Sequence, residues 1–215
     1  GTFTIPRTPI RRRLPDLRAR LSVCQHQPAH QRHLQRKRNL FEIVADQCGE
    51  IYDEKIFTLV FAKRFAGYKR PDLFLHDMDR FHKLVSQQER PIQIIWAGKP
   101  YPMDYVGIGV FDKIVELCKT YSNCSVLVGY ELKLSRLLKQ GSDAWLNVPR
   151  LTHEASGTSG MSAAMNGSVN VALPDGWFPE FAKDKINSFH IFALNDNTER
   201  NAGWPVPFPG TILYL

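Results

Sequence analysis

The sequence predicts an α/β fold in which helices flank one parallel sheet. Two observations carry this expectation. Short apolar runs recur along the middle of the chain, each with the length of a strand buried on both faces. Between most of them lies a single segment with apolar residues spaced on one helical face. Strands separated by single helices imply right-handed crossovers and parallel pairing.

The elements follow in order. Residues 1–38 are rich in Arg, Pro, Gln and His, and Pro6, Pro9, Pro15 and Pro28 interrupt helix formation. This segment is expected to be basic and poorly ordered, with one helix near 30–48. The first strand is Phe57–Ala62 (FTLVFA). Pro71 then opens a helical pattern that sets Phe74, Met78, Phe81 and Val85 on one face. Ile92–Ala97 (IQIIWA) is the second strand. Phe111, Ile114, Val115 and Cys118 form the next helical stripe, and Ser125–Val128 the third strand. Leu134, Leu137 and Leu138 mark a helix stopped by Gly141. Ala144–Val148, Val169–Leu173 and Phe189–Ala193 complete six strands. Three segments result: 1–38, a ligand-binding α/β domain over 39–194, and an irregular tail over 195–215.

The net charge is +7. Residues 1–40 hold ten Lys and Arg against a single acid, Asp16, so the rest of the chain is slightly acidic. The basic excess belongs to the N-terminal segment. That segment lacks the aromatic interleaving of a base-stacking surface, which argues against nucleic acid as a partner. No apolar run approaches the roughly 20 residues that span a bilayer, and no secretory signal is legible. Cys24, Cys48, Cys118 and Cys124 form no C-x-x-C pair, so neither a metal site nor a disulfide scaffold is expected. A reducing, cytoplasmic location follows as the default.

In parallel sheets ligands bind beyond the C-terminal strand ends, so the loops there carry the chemistry. The first strand runs into Lys63-Arg64-Phe65-Ala66-Gly67-Tyr68-Lys69-Arg70, four cations suited to a phosphate or diphosphate. The second ends in Gly98-Lys99-Pro100, which adds close backbone approach and another cation. After the fourth comes Ser156-Gly157-Thr158-Ser159-Gly160, an amide-rich turn opening a helix. Glu154 stands just upstream, a carboxylate suited to sugar hydroxyls.

The run Glu154–Gly160 with Met161 (EASGTSGM) resembles the signature of the α-glucan phosphorylases. Arg64–Arg70 (RFAGYKR), Ala97-Gly98-Lys99 and Asp175-Gly176-Trp177 resemble further segments of that family, and Tyr130–Arg150 resembles the matching segment of its short bacterial and archaeal type, all in the same order. The likeness runs from about Leu40 to Phe192 and does not reach the two ends. It implies that the chain is the C-terminal, Rossmann-like half of a two-domain glycosyltransferase fold (GT-B), its N-terminal partner domain lying outside this chain. The implied activity is retaining glucosyl transfer on α-1,4-glucans with phosphate and glucose 1-phosphate, and the half alone is expected to turn over poorly. By motif match Arg64 and Lys69 would hold phosphate and Glu154 the sugar hydroxyls, these three carrying catalysis. Lys99, Tyr130, Ser156, Gly157, Thr158, Ser159 and Gly160 would line the substrate and phosphate side. A homo-oligomer is left open.

One departure matters. The family's Schiff-base lysine for pyridoxal phosphate follows the Met161 position, and this chain has Ser162 there. A serine forms no imine. The related nucleotide-sugar transferases carry a glutamate at the same place, which Ser162 also lacks. Three readings stand: a phosphorylase-like enzyme with altered cofactor use, a glycogen-synthase-like enzyme using ADP- or UDP-glucose, and a non-catalytic glucan-binding or regulatory domain. The length of the match favours the first. Among smaller features, His153 reads as a loop histidine with a structural hydrogen bond, and His76, His82, Lys183 and Lys185 as surface. Trp96 and Trp145 read as core. Trp177 suits either stacking on a sugar or packing under its own loop.

Overall fold

The computed structural model describes residues 28–191, apart from Tyr130, Thr152 and Ala155. Expectations for residues 1–27 and 192–215 lie outside the described residues.

Six parallel strands form one sheet: β1 (Phe57–Ala62), β2 (Ile92–Ala97), β3 (Cys124–Leu127), β4 (Ala144–Asn147), β5 (Val169–Ala172) and β6 (Ser188–His190). Their order is β3-β2-β1-β4-β5-β6. The chain winds outwards from β1 to β3, returns to place β4 against β1, and winds the other way. This is a Rossmann-like topology, and its switch point lies between β1 and β4. The longest register joins β1 to β2, from Phe57 opposite Ile92 to Ala62 opposite Ala97.

Both faces of the sheet are covered, which explains the unbroken apolar runs. Leu59, Phe61, Ile94 and Trp96 point into one core. That core is closed by α2 (Met78–Ser86) and α3 (Tyr105–Thr120), through Phe81, Val85, Val110 and Ile114. Val60, Ala62, Ile95 and Trp145 point into the other. There α1 (Ala29–Cys48) and α4 (Leu132–Gly141) supply Leu40, Val44, Leu134 and Leu138. Trp96 and Trp145 are fully buried core residues. The indole N–H of Trp96 donates to the Pro71 carbonyl at 3.0 Å.

Two local expectations are corrected. The helix opening at Pro71 is not continuous: a 3-10 turn (Leu73–His76) precedes α2, and the two are separated at Asp77. The Asp77 carboxylate accepts from Arg80 N at 3.0 Å and caps a fresh helix start. Phe74, Phe81 and Val85 are buried as expected, but Met78, displaced from that stripe, is exposed. Gly141 does not stop α4 by left-handed capping; it is the last helical residue, and Ser142 beyond it is extended. Its reason is close packing, since a Cβ there would meet Arg36 O and Leu40 at 3.1 Å.

The α1 helix runs through residue 38, and its polar side is anchored at the N-terminal end of the sheet. Asp143, just before β4, accepts from Lys37 Nζ at 2.6 Å, His33 Nε2 at 2.8 Å and Thr58 N at 2.7 Å. Burial alone would raise the Asp143 carboxyl, but the His33 and Lys37 contacts and the Thr58 amide outweigh it and hold the carboxyl below its usual range. Lys37 is 2% exposed and also donates to Ile56 O at 2.6 Å. Asp143→Ala would leave that ammonium buried without its counter-ion. It is expected to cost about 3–5 kcal/mol, read as a lower urea midpoint with unchanged slope.

Candidate active site at the sheet switch point

The loops after β1 and β4 meet above the switch point. The β1 loop turns through a 3-10 segment (Gly67–Lys69) and reaches Arg70, which is left-handed with φ 49°. Arg70 is held there by its own side chain, whose Nε and Nη2 donate to Val148 O at 2.9 Å and Pro149 O at 3.1 Å. The Arg150 amide closes the link by donating to Tyr68 O at 2.7 Å. The two loops therefore form one unit, and Lys69 is presented to the β4 loop.

Between them lies a cavity of about 340 Å³ lined by Lys63, Arg64, Tyr68, Lys69, Glu154 and the Gly157–Ser159 turn. The Glu154 carboxylate is the centre of the polar network. Lys69 Nζ is ion-paired to Glu154 Oε1, and Lys63 Nζ stands 3.3 Å from Oε2. Lys63 also donates to the side-chain oxygen of Asn147, the last residue of β4. Burial alone would raise Glu154, but Lys69 and Lys63 outweigh it and hold its carboxyl below the usual range. Burial brings the Lys63 ammonium down to about 8, against the opposing pull of Glu154. Lys63, Lys69 and Arg64 thus outnumber the Glu154 carboxylate and the neighbouring Asp175 around this cavity, which leaves net positive charge for an anion.

Gly157 opens the helix α5 (Thr158–Ala164) in a left-handed conformation, φ 78°. The Trp177 indole lies beneath it: a Cβ on Gly157 would meet the ring at 3.1 Å, and one on Gly160 would meet it at 3.4 Å. Trp177 N also donates to Ser156 O at 3.2 Å. Trp177 therefore packs under the glycine turn. Asp175 braces the same turn by accepting from Glu154 N at 3.3 Å.

Of the residues singled out in the sequence, Arg64, Lys69, Glu154, Gly157, Thr158 and Ser159 line this cavity together. Lys99 lines an adjoining cavity of about 470 Å³ with Tyr101 and Glu131, and Arg64 borders both. Ser156 and Gly160 are not among the lining residues. Ser156 is exposed, and Gly160 is buried against Trp177 and Asn170. Tyr130 lies outside the described residues. His153 stacks on Tyr68 and its Nδ1 is 3.0 Å from Leu151 O, away from the carboxylate network. The Ser162 hydroxyl faces its own helix, 2.9 Å from Thr158 O and 3.1 Å from Ser159 O.

A family model described as carbohydrate phosphorylase matches residues 22–200. The chain belongs to the carbohydrate phosphorylase family. It is 50% identical over 153 residues to an uncharacterized protein of Methanocaldococcus jannaschii, covering 71% of this chain and 29% of that protein. It is 37% identical over 168 residues to the glycogen phosphorylase of Aquifex aeolicus, covering 69% of this chain and 24% of that protein. It is also 37% identical over 163 residues to the maltodextrin phosphorylase of Thermococcus litoralis, covering 69% and 20%. The chain therefore spans less than a third of the length of these relatives.

Asn147 was not singled out by residue patterns, and Lys63 was read only as one of the four cations that follow the first strand. Their signal in this carbohydrate phosphorylase sequence is positional. Each is a polar residue at or just past the C-terminal end of a buried strand, where a side chain must find a partner or a ligand. The lowered Lys63 pKa has a testable sign. Below about 8 the folded chain carries a buried ammonium that the unfolded chain solvates freely, which is destabilising. As pH rises from about 8 towards the ordinary 10.5, the folded chain releases that proton first and the penalty fades. Stability of the wild type relative to Lys63→Met is therefore expected to rise across this window, measured by urea denaturation at each pH; a flat difference would contradict the buried, charged assignment.

Proposed function

We propose that this chain supplies the phosphate-handling half of a retaining glucosyl transfer on α-1,4-glucans, of the glycogen phosphorylase type. The convergence of Arg64, Lys69, Glu154 and the Gly157–Ser159 turn on one cavity supports this reading most directly. Arg64 and Lys69 bind and neutralise the phosphate of glucose 1-phosphate or the attacking inorganic phosphate. Glu154 accepts hydrogen bonds from the glucosyl hydroxyls. No protein nucleophile is required: the phosphate oxygen and the glucan hydroxyl exchange on the same face of an oxocarbenium-like glucosyl unit. The protein supplies alignment and charge compensation. The second GT-B domain would close the cleft over this face.

The residues present do not fit a covalently held pyridoxal phosphate. Ser162 offers no amine, and its hydroxyl is turned to its own helix. The adjoining cavity beside Lys99 favours a second reading, a nucleotide-sugar donor whose diphosphate is bridged by Arg64.

Thermal unfolding of the chain with millimolar glucose 1-phosphate, ADP-glucose, UDP-glucose or pyridoxal phosphate separates these readings. A ligand at about 100 times its Kd stabilises the native state by about 2.7 kcal/mol. A rise in Tm with glucose 1-phosphate and none with nucleotide sugars is expected. A rise confined to a nucleotide sugar would make this a synthase-like transferase, and no rise with any of them would remove the proposed site.

A further inference from the structure

We infer that Glu154 is an internal counter-ion of the phosphate site, displaced by an incoming phosphate and thereby released to the sugar. The inference rests on the phosphate-handling reading above and adds a coupling between its two binding events.

Glu154 is 9% exposed in its side chain and bridges Lys69, one of the two cations assigned to the phosphate, and the deeper Lys63. It is ion-paired to Lys69 and lies 3.3–3.4 Å from Lys63 Nζ through its two oxygens. In this arrangement the group assigned to sugar hydroxyls has its acceptor oxygens occupied by lysines. Lys69 is likewise occupied by a carboxylate. Both binding functions are held in one contact.

The surroundings show which partner is free to move. Lys63 keeps the Asn147 side-chain oxygen as a second acceptor when the carboxylate leaves. Lys69 Nζ sits 5.0 Å over the Tyr68 ring, a contact that holds the ammonium in place without Glu154. The Glu154 main chain is braced independently, its amide donating to Asp175 at 3.3 Å. The Glu154 side chain has Lys63 and Lys69 as its donors and, among the described residues, no other. Arg64 is exposed at the cavity mouth and, among the described residues, has no hydrogen-bond or ion-pair partner. It is placed to receive an anion before Lys69 is exchanged.

A phosphate carries more charge than a carboxylate and meets Arg64 and Lys69 together, so it wins the exchange. The freed carboxylate then has vacant acceptor oxygens beside the bound phosphate, which hydroxyl donors of a glucosyl unit can fill. Phosphate binding therefore strengthens sugar binding, and linkage requires the reverse by the same factor. The arrangement also disfavours sugar capture while the phosphate site is empty.

The test is calorimetric titration of the whole chain with inorganic phosphate and with glucose, for wild type and Glu154→Gln. The amide keeps the size of the side chain and removes its charge. Glu154→Gln is expected to bind phosphate about tenfold tighter than wild type, because nothing competes for Lys69. In wild type, saturating phosphate is expected to tighten glucose by about fivefold or more, and in the variant this coupling disappears. Equal or weaker phosphate binding by the variant, or wild-type glucose affinity indifferent to phosphate, would overturn the inference. Absence of phosphate binding in both proteins would instead overturn the reading on which it rests. Should the Gln variant lose its far-UV signature, Glu154→Asp retains the charge and shortens its reach to Lys69. Tighter phosphate binding is expected there too, by a smaller factor, and unchanged affinity would sink the inference.

Discussion

Lys69→Ala is expected to weaken binding of phosphate and glucose 1-phosphate by about 10- to 100-fold, the loss of one charge-assisted donor at roughly 1.5–3 kcal/mol. The ammonium lies in the cavity, half-enclosed, where solvent screens it less than a surface charge. Trp177→Ala is the informative partner experiment. Its ring supports the Gly157 turn from beneath and is absent from the cavity lining. That substitution removes a large packed side chain, so it should lower the urea midpoint more than Lys69→Ala does. Its effect on phosphate affinity should stay within about fivefold, because no phosphate-facing charge is lost. Equal losses of phosphate affinity in the two variants would place the anion elsewhere. The contrast separates a residue that touches the ligand from one that holds the loop in shape.

The strands were legible because burial on both faces leaves so little ambiguity. FTLVFA and IQIIWA coincide with β1 and β2 residue for residue, and the other four strands agree to within one to three residues where described. Helix boundaries were harder. Apolar spacing through Phe74, Phe81 and Val85 reads as one helix, and what breaks it is a single local competitor, the Asp77 side chain capping α2. Gly141 shows the same limit: its left-handed potential suggests a stop, whereas the helix packing that requires it depends on Leu40, a hundred residues away in sequence. At the site, residue chemistry located the charges but not their pairing. Arg64, Lys69 and Glu154 were readable as neighbours in one site, which the shared cavity bears out, yet a sequence cannot show that Lys69 and Glu154 neutralise one another across the switch point. Lys63 was legible as one of the four cations after β1, but its pairing with Glu154 and Asn147 was not, because it arises from depth at the end of β4.

Gly98→Ala tests how tightly the C-terminal ends of β1 and β2 hold that depth. Gly98 follows β2 with φ 138°, and a Cβ there would sit 2.1 Å from the Lys63 carbonyl oxygen. No rotamer relieves this, because both colliding atoms are fixed to main chain. The Lys63 amide is itself bonded to Ala97 O at 3.0 Å, so the two strand ends cannot part without losing a hydrogen bond. The expected cost is about 4 kcal/mol or more, from backbone strain and the displaced β1 loop together. Gly49→Ala is the matched control. Gly49 has φ 74°, but a Cβ there meets nothing within 4 Å, so only the left-handed penalty of about 1 kcal/mol remains. Similar urea midpoints for the two variants would mean that strands β1 and β2 are not locked together at Lys63. A large loss confined to Gly98→Ala, accompanied by weaker phosphate binding, would tie the packing of two strand ends to the position of the cations they present.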